Sequence, residues 1–282
     1  MKHAVVVTSL LVLASLSALA QTALARNKLY VDGVHGNDNN NCESRQTACK
    51  TIGHAISLAS PGDAILVGPA TYYENLTINF SLGIIGSSAS TTIIDGQALN
   101  TVVNIPNTDT HTVLAGLTIR NGAALYFVQG GGVQNDGSLT IFNLIISGNN
   151  GQYGGGLSNE GVATVYDSTI SGNVGGENSS GSEGGGVWND GTLTLNRTTV
   201  SQNETAYEYF GSGSGIYNAG TLVVNDSTIS NNTTTTSSPT GGGHFQRRDA
   251  RDERQHDQWK CDFGGRERRR RTLQRLCCKG GA

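Results

Sequence analysis

G-G-G-V-Q-N-D-G-S-L-T-I-F-N-L-I-I-S-G-N, residues Gly130–Asn149, recurs three more times in the chain. It returns as G-G-G-L-S-N-E-G-V-A-T-V-Y-D-S-T-I-S-G-N from Gly154, as G-G-G-V-W-N-D-G-T-L-T-L-N-R-T-T-V-S-Q-N from Gly184, and as G-S-G-I-Y-N-A-G-T-L-V-V-N-D-S-T-I-S-N-N from Gly213. The starts lie 24, 30 and 29 residues apart, so a fixed core of 20 residues is followed by a polar insert of varying length. A constant core with variable inserts marks a solenoid whose insertions emerge on one side.

Within the repeat the apolar residues fall in columns: Val133/Leu157/Val187/Ile216, Leu139/Ala163/Leu193/Leu222, Ile141/Val165/Leu195/Val224 and Ile146/Ile170/Val200/Ile229. They alternate with polar residues as strands do, and no helical stripe runs through them. Each coil therefore predicts about three short strands with one face inward. One coil cannot bury that face alone, so it must stack on its neighbours about 4.8 Å away. Asn135, Asn159, Asn189 and Asn218 mark one corner, with Gly137, Gly161, Gly191 and Gly220 two residues later, where a sharp bend suits residues tolerant of positive φ. Asn149, Asn173, Asn203 and Asn232 mark a second corner. Stacked asparagines at identical corners predict side-chain ladders from coil to coil.

Composition agrees with this reading. The chain holds 39 glycines with no strict three-residue period, which excludes collagen, and its regular apolar columns exclude disorder. Upstream, the stretches between Thr77 and Gly122 read as looser coils. Thr51–Ser60 places Ile52, Ala55, Ile56 and Ala59 at helical spacing and ends at Pro61-Gly62, predicting a short amphipathic helix that caps the open end, with His54 on its polar side. Lys2 and His3 precede an apolar run from Ala4 to Leu19 and an A-x-A site. Residues 1–25 therefore read as a secretory signal, and the product is expected outside the cell or on its outer surface. No later run is apolar enough to cross a membrane as a helix. In an oxidising compartment Cys42 and Cys49 can staple a loop; their spacing, with no histidine in register, argues against zinc. Asp32, Asp38 and Asn40, in D-G-V-H-G-N-D-N-N-N, offer oxygen ligands for calcium without EF-hand spacing; an Asn-rich turn explains them equally. No other cofactor is indicated.

Y-V-D-G-V-H-G-N-D-N-N-N-C at Tyr30–Cys42, followed by A-C-K-T-I-G-H-A-I-S-L-A-S-P-G-D-A-I-L-V-G-P-A-T-Y-Y-E-N-L-T-I at Ala48–Ile78, resembles the N-terminal module of bacterial proteins with the pectin-lyase-like fold. The later Gly-Gly-Gly-x-x-Asn coils resemble repeats of polymorphic outer-membrane proteins and autotransporter passengers. The resemblance covers residues 28–243. It implies an all-β, right-handed parallel β-helix with a short N-terminal capping helix: a cap module over 26–60, coils over 61–243, and an irregular tail over 244–282.

The tail breaks the pattern. After Gly241-Gly242-Gly243 a fifth coil is due, but H-F-Q-R-R-D-A-R-D-E-R-Q-H-D-Q-W-K-C-D follows. Codons can be chosen for His244–Asp262 that, read one base later, spell I-F-N-A-G-T-L-A-M-S-D-S-T-I-S-G-N-V, the missing coil. A frameshift near Gly243 is the expectation, and residues 244–282 are expected to be disordered. Residues 26–243 carry 6 Lys/Arg against 16 Asp/Glu, whereas 244–282 carry 12 against 6. On this reading the basic run at Arg266–Arg271 is no evidence for nucleic-acid binding, and Cys261, Cys277 and Cys278 need no metal.

The resemblance raises polysaccharide cleavage. Asn107-Thr108-Asp109 matches a hydrolase tripeptide and His111 is near, but no paired aspartates follow in register. Arg120 and Arg197 are the arginines of the coils. Arg197 shares a column with Asn143, Asp167 and Asp226, the pattern either of a surface ion pair or of a lyase base beside calcium-holding acids. Trp188 and Tyr217 share an outward column with Gln134 and Ser158 and are expected to be exposed, filling surface or stacking on sugars. With no complete catalytic set, the expectation is a non-catalytic structural or adhesive β-helix facing polysaccharide or a host or cell-surface component. The alternative is a carbohydrate-active β-helix, lyase- or hydrolase-like or carbohydrate-binding, and it rests on fold alone.

Overall fold

The computed structural model describes residues 25–176, 182–206, 211–235, 239–240 and 244–246. Both the signal segment and the tail beyond Gln246 lie outside the described residues. Three parallel sheets run the length of the described body, because each coil contributes a strand to each in turn, and a fourth joins them from Ala123 onward. The first sheet stacks eight strands, Lys28–Val31, Asp63–Val67, Leu82–Gly86, His111–Ala115, Ser138–Phe142, Val162–Tyr166, Thr192–Asn196 and Thr221–Asn225. The second runs from Ala70–Tyr73 to Thr228–Ser230, and the third from Leu76–Thr77 to His244–Gln246.

Pairing puts each apolar column in one line. Leu139, Ala163, Leu193 and Leu222 are direct register partners, as are Ile141, Val165, Leu195 and Val224. Val133, Leu157, Val187 and Ile216 stack in the third sheet, and Ile146, Ile170, Val200 and Ile229 in the second. These inward residues form one continuous core from Leu29 to Ile229. Leu193 and Leu195 are 0% exposed, whereas Leu222 and Val224 on the last strand of that sheet are only partly covered.

Three features depart from the sequence reading. A fourth sheet exists, centred on Asn150–Tyr153, which pairs with Ala123–Gln129, and continued by two-residue strands that open and close each later insert: Val174–Gly175 and Ser182–Glu183, then Glu204–Thr205 and Gly211–Ser212, then Thr233–Thr234 and Pro239–Thr240. The inserts begin and end as part of the solenoid. Second, the positive-φ corner is not at the ladder asparagines. Positive φ falls at Asn143, Asp167, Arg197 and Asp226, all near φ 50, at Gly148, Gly172, Gln202 and Asn231 just before each second-corner asparagine, and at the first glycine of each triplet, as at Gly154 with φ 73. The glycine after each first-corner asparagine serves close approach instead: a Cβ on Gly161 would stand 2.0 Å from the carbonyl oxygen of Gly137. Third, His244–Gln246 pairs in register with Ile216–Asn218, so strand pairing runs three residues beyond the expected boundary.

At the other end the helix, α1, spans Ile52–Leu58, with Ile52 and Ala55 buried and Thr51 as N-cap, its hydroxyl accepting from the His54 amide. Two carboxylates satisfy the remaining amides of that terminus. Asp38 accepts from Lys50 and Thr51, while Glu74 accepts from Ile52 at 2.9 Å and Gly53 at 2.7 Å. The Tyr72 hydroxyl accepts from the Gly33 amide and donates to the Gly68 carbonyl, and burial pushes it up to about 12. Because Lys28–Val31 is itself the first strand of the first sheet, the cap is continuous with the coils.

Candidate functional site

Both corner columns of asparagine form buried chains. Asn135 donates through Nδ2 to Asn159 Oδ1 at 2.7 Å, Asn159 to Asn189 at 2.7 Å, and Asn189 to Asn218. In the second chain Asn149, Asn173, Asn203 and Asn232 are linked at 2.9–3.0 Å, and each Nδ2 also donates to a carbonyl of the preceding rung. Apart from Asn135 Oδ1, which is buried without a hydrogen-bond partner at the end of the first chain, the linked side chains bond to one another and to backbone carbonyls, so they hold the stack rather than face a ligand.

The residues weighed for catalysis are also engaged. Arg197 grips Asp167 with both forks, Nε to Oδ1 at 2.7 Å and Nη2 to Oδ2 at 2.8 Å, and its hydrogen bonds to Asp167 hold its pKa above the usual guanidinium value. A guanidinium so held does not accept a proton, and the ion-pair account stands. Arg120 pairs likewise with Asp95 at 2.8 Å; burial works against the Asp95 anion, but hydrogen bonds from Gln97, Asn121 and Arg120 keep its pKa below the usual range. Asp109 sits in an exposed turn, its amide donating to Asn107 Oδ1, and His111 Nδ1 lies 3.0 Å from Ser138 Oγ.

In the N-terminal module, Asp32 accepts from the amides of Val34 and His35, Asp38 from Lys50 and Thr51, and Asn40 donates to the Ala48 carbonyl. The carboxylate oxygens of Asp32 and Asp38 and the amide nitrogen of Asn40 thus hold the turns. Cys42 and Cys49 are bonded to each other and are both 0% exposed. The chain also brings half-buried His54 beside them, a proximity the sequence spacing does not reveal.

One outward strip combines groups suited to a ligand. In the fourth sheet Tyr153, Glu183 and Ser212 are register partners on successive rungs. In the third sheet Ser158, Trp188 and Tyr217 are partners on the same rungs. The two columns touch across the triple-glycine turn: Trp188 Nε1 donates to Glu183 Oε2 at 3.2 Å, and its ring leans on Tyr153 at 5.7 Å and 50°. That contact corrects the expected exposure. Trp188 is half-buried, Tyr217 is 8% exposed and Ser158 only 1%. The strip runs along the solenoid axis with one set of side chains per rung. Tyr153 and Glu183 escape notice in the sequence because inserts of unequal length hide their alignment. Counting back from each glycine triplet, rather than forward, puts Tyr153, Glu183 and Ser212 in one column.

A second aromatic pair, Phe142 stacked on Tyr166 at 4.9 Å and 8°, lies outside the first sheet against Val113, Ala115 and Ile85. Phe142 is 4% exposed and has no acid beside it among its described contacts, so it fills surface.

No family model and no curated protein matches the chain. Solved structures do. Pectate lyase Pel9A aligns at 15% identity with a TM-score of 0.52 over 73% of this chain and 54% of its own, so this chain spans about half of that protein. Pectin methylesterase PemA from Erwinia chrysanthemi aligns at 17% identity over 76% of this chain and 67% of its own, TM-score 0.48. The pectin methylesterase from Aspergillus niger aligns at 13% over 86% and 92%, TM-score 0.48. At these identities the likeness is one of fold: the chain is a right-handed parallel β-helix of the pectin-lyase-like kind.

Proposed function

We propose that this protein is an extracellular or surface-displayed β-helix that binds a linear, neutral polysaccharide along the Tyr153–Glu183–Trp188 strip without cleaving it. The observation that carries the reading is the contact of Trp188 with both Tyr153 and Glu183 across the glycine turn. Aromatic rings take the apolar faces of sugar rings, and a carboxylate accepts from sugar hydroxyls. Rungs lie about 4.8 Å apart, a spacing comparable to one sugar of an extended chain, and Tyr153 and Ser212 stand beside Glu183 on the neighbouring rungs.

Charge selects the class of polymer. Between residues 61 and 243 the Lys and Arg side chains are two, Arg120 and Arg197, and both are paired with aspartates. A polyuronate would meet Glu183 with no cation to offset it, so an uncharged glycan fits better. The solved structures of this fold that align with the chain include a pectin methylesterase holding a hexasaccharide, which supports sugar binding on such a scaffold. An adhesive role is the same strip turned to a cell-surface glycan. Calcium at Asp32, Asp38 and Asn40 would serve only to brace the cap, and a calcium-dependent rise in unfolding temperature, lost in Asp32→Asn, is its test.

The binding experiment is affinity electrophoresis and calorimetry on neutral and acidic polysaccharides, with product analysis for cleavage. Retardation by a neutral polymer with no new chain ends, lost in Trp188→Ala, is the expected result. Equal retardation of wild type and Trp188→Ala, or binding confined to uronate polymers, overturns the reading.

A further inference from the structure

We infer that reduction of the Cys42–Cys49 disulfide turns the N-terminal module into a zinc site completed by His54. The geometry points to it. Both cysteine sulfurs and a ring nitrogen of His54 lie within 4.8 Å of one another. They come from separate places: Cys42 from the turn after the first strand, Cys49 from the isolated bridge to Val31, and His54 from the third residue of α1. Each is fixed by its own backbone. The Cys49 amide donates to Tyr30, the Cys42 carbonyl accepts from Tyr30, and the His54 amide donates to the Thr51 hydroxyl. The three ligands therefore stay gathered when the sulfur–sulfur bond is gone.

The chemistry of the set is that of zinc. Two thiolates and an imidazole are borderline-soft donors, held at roughly 2.3 Å and 2.0 Å from the ion in a tetrahedral site. Sulfurs released from a disulfide move apart to about the span that two such bonds require. The fourth position falls to water, because His54 is half-buried and so marks the open side. Asp38 is the nearby carboxylate, its field reaching His54, but its oxygens are committed to Lys50 and Thr51. It stays outside the ligand set.

A dithiol reductant gives two electrons and two protons to the disulfide, becoming a disulfide itself, and leaves two thiols. Zinc then binds the two thiolates and the neutral imidazole, and the two thiol protons pass to solvent. In the oxidised protein no sulfur lone pair is available as a thiolate, so the same residues hold no ion. The device would let the cap keep its loop closed in either redox state, by a covalent bond in one and a metal clip in the other.

The test uses the full chain with Cys261, Cys277 and Cys278 changed to Ser, so that tail thiols cannot contribute. Zinc bound after reduction by a phosphine and gel filtration is measured by atomic emission and by competition with a chromophoric chelator. One ion per reduced chain and none per oxidised chain is expected, with cobalt substitution giving a thiolate-to-metal charge-transfer band. His54→Ala keeps the disulfide and so the fold, yet should weaken zinc binding by at least tenfold once reduced, while His35→Ala leaves it unchanged. Equal zinc in oxidised and reduced protein, or unaltered affinity in His54→Ala, overturns the proposal.

Discussion

Replacing Asn173 by Ala removes the middle of the second asparagine chain and should destabilise the protein by about 2–6 kcal/mol. The side chain makes four hydrogen bonds: its Nδ2 donates to the Ile146 carbonyl at 3.0 Å and to Asn203 Oδ1 at 2.9 Å, and its Oδ1 accepts from Asn149 N at 3.1 Å and Asn149 Nδ2 at 3.0 Å. Asn149 Nδ2 retains the Ile119 carbonyl and Asn203 Oδ1 retains the Asn173 amide, so those two are only weakened. The Asn149 amide loses its side-chain acceptor and the Ile146 carbonyl its side-chain donor, both in a place where Asn149 is 1% exposed. A buried polar group without a partner costs about 1–3 kcal/mol, and two such groups give the stated range. Asn225→Ala is the matched control. It removes a single bond, to Asn196 Oδ1 at 2.9 Å, on an exposed surface, and should cost no more than about 0.5 kcal/mol. Urea unfolding with the full chain reads both; the midpoint should fall for Asn173→Ala with little change in slope. Equal midpoints for the two variants would mean that the buried chain adds nothing to the stack, and the reasoning would fail.

Other outcomes follow from the same geometry. Burial pushes the Asp38 carboxyl up, yet hydrogen bonds from Thr51 and Lys50 prevail and hold it below its ordinary value. Its stabilising share is therefore full above the unfolded carboxylate pKa and fades as pH falls through the lower folded value; Asp38→Asn should flatten that acid limb in pH-dependent unfolding, and an unchanged limb would contradict it. Glu74 runs the opposite way, its pKa raised chiefly by burial, so its share is present below the unfolded value and fades as pH rises through the folded one. Glu183→Gln keeps an acceptor for Trp188 and should admit uronate polymers better than wild type, read by the same retardation assay. Resequencing the locus around Gly243 should show a displaced frame. Restoring it should add a rung of the Ile216 type and raise the urea midpoint, as nearest-neighbour stacking requires, and an intact frame through His244 would end that idea.

The repeated core was legible because its information is local and periodic. Val133, Leu157, Val187 and Ile216 must coincide once identical segments stack, and they are register partners. What escaped depends on contacts that no column encodes. The fourth sheet is made of residues such as Val174, Ser182, Glu204 and Gly211, whose pairing comes from the backbone and not from an apolar pattern. Positive φ at Arg197 is imposed by the turn it shares with Asn143 and Asp167, and an arginine gives no hint of it. Trp188 is half-covered because Glu183 and Tyr153, at insert ends of unequal separation, fold against it. His54 reaches the cysteines through the turn at Lys50–Thr51 that Asp38 holds, a tertiary relation that spacing along the chain cannot show.

Register between rungs underlies the asparagine chains and the Tyr153–Glu183–Trp188 strip alike, and a pair of introduced cysteines reads it directly. Thr164 and Thr194 are outward register partners in the first sheet, 30 residues apart in sequence. Adjacent rungs are about 4.8 Å apart, within the reach of a disulfide. In a chain with Ser at Cys261, Cys277 and Cys278, mild oxidation of Thr164→Cys with Thr194→Cys should give the bridged peptide by mass spectrometry, while Thr164→Cys with Asn196→Cys should stay open. Bridging of the displaced pair as readily as the aligned one, or of neither, would contradict a stack in this register.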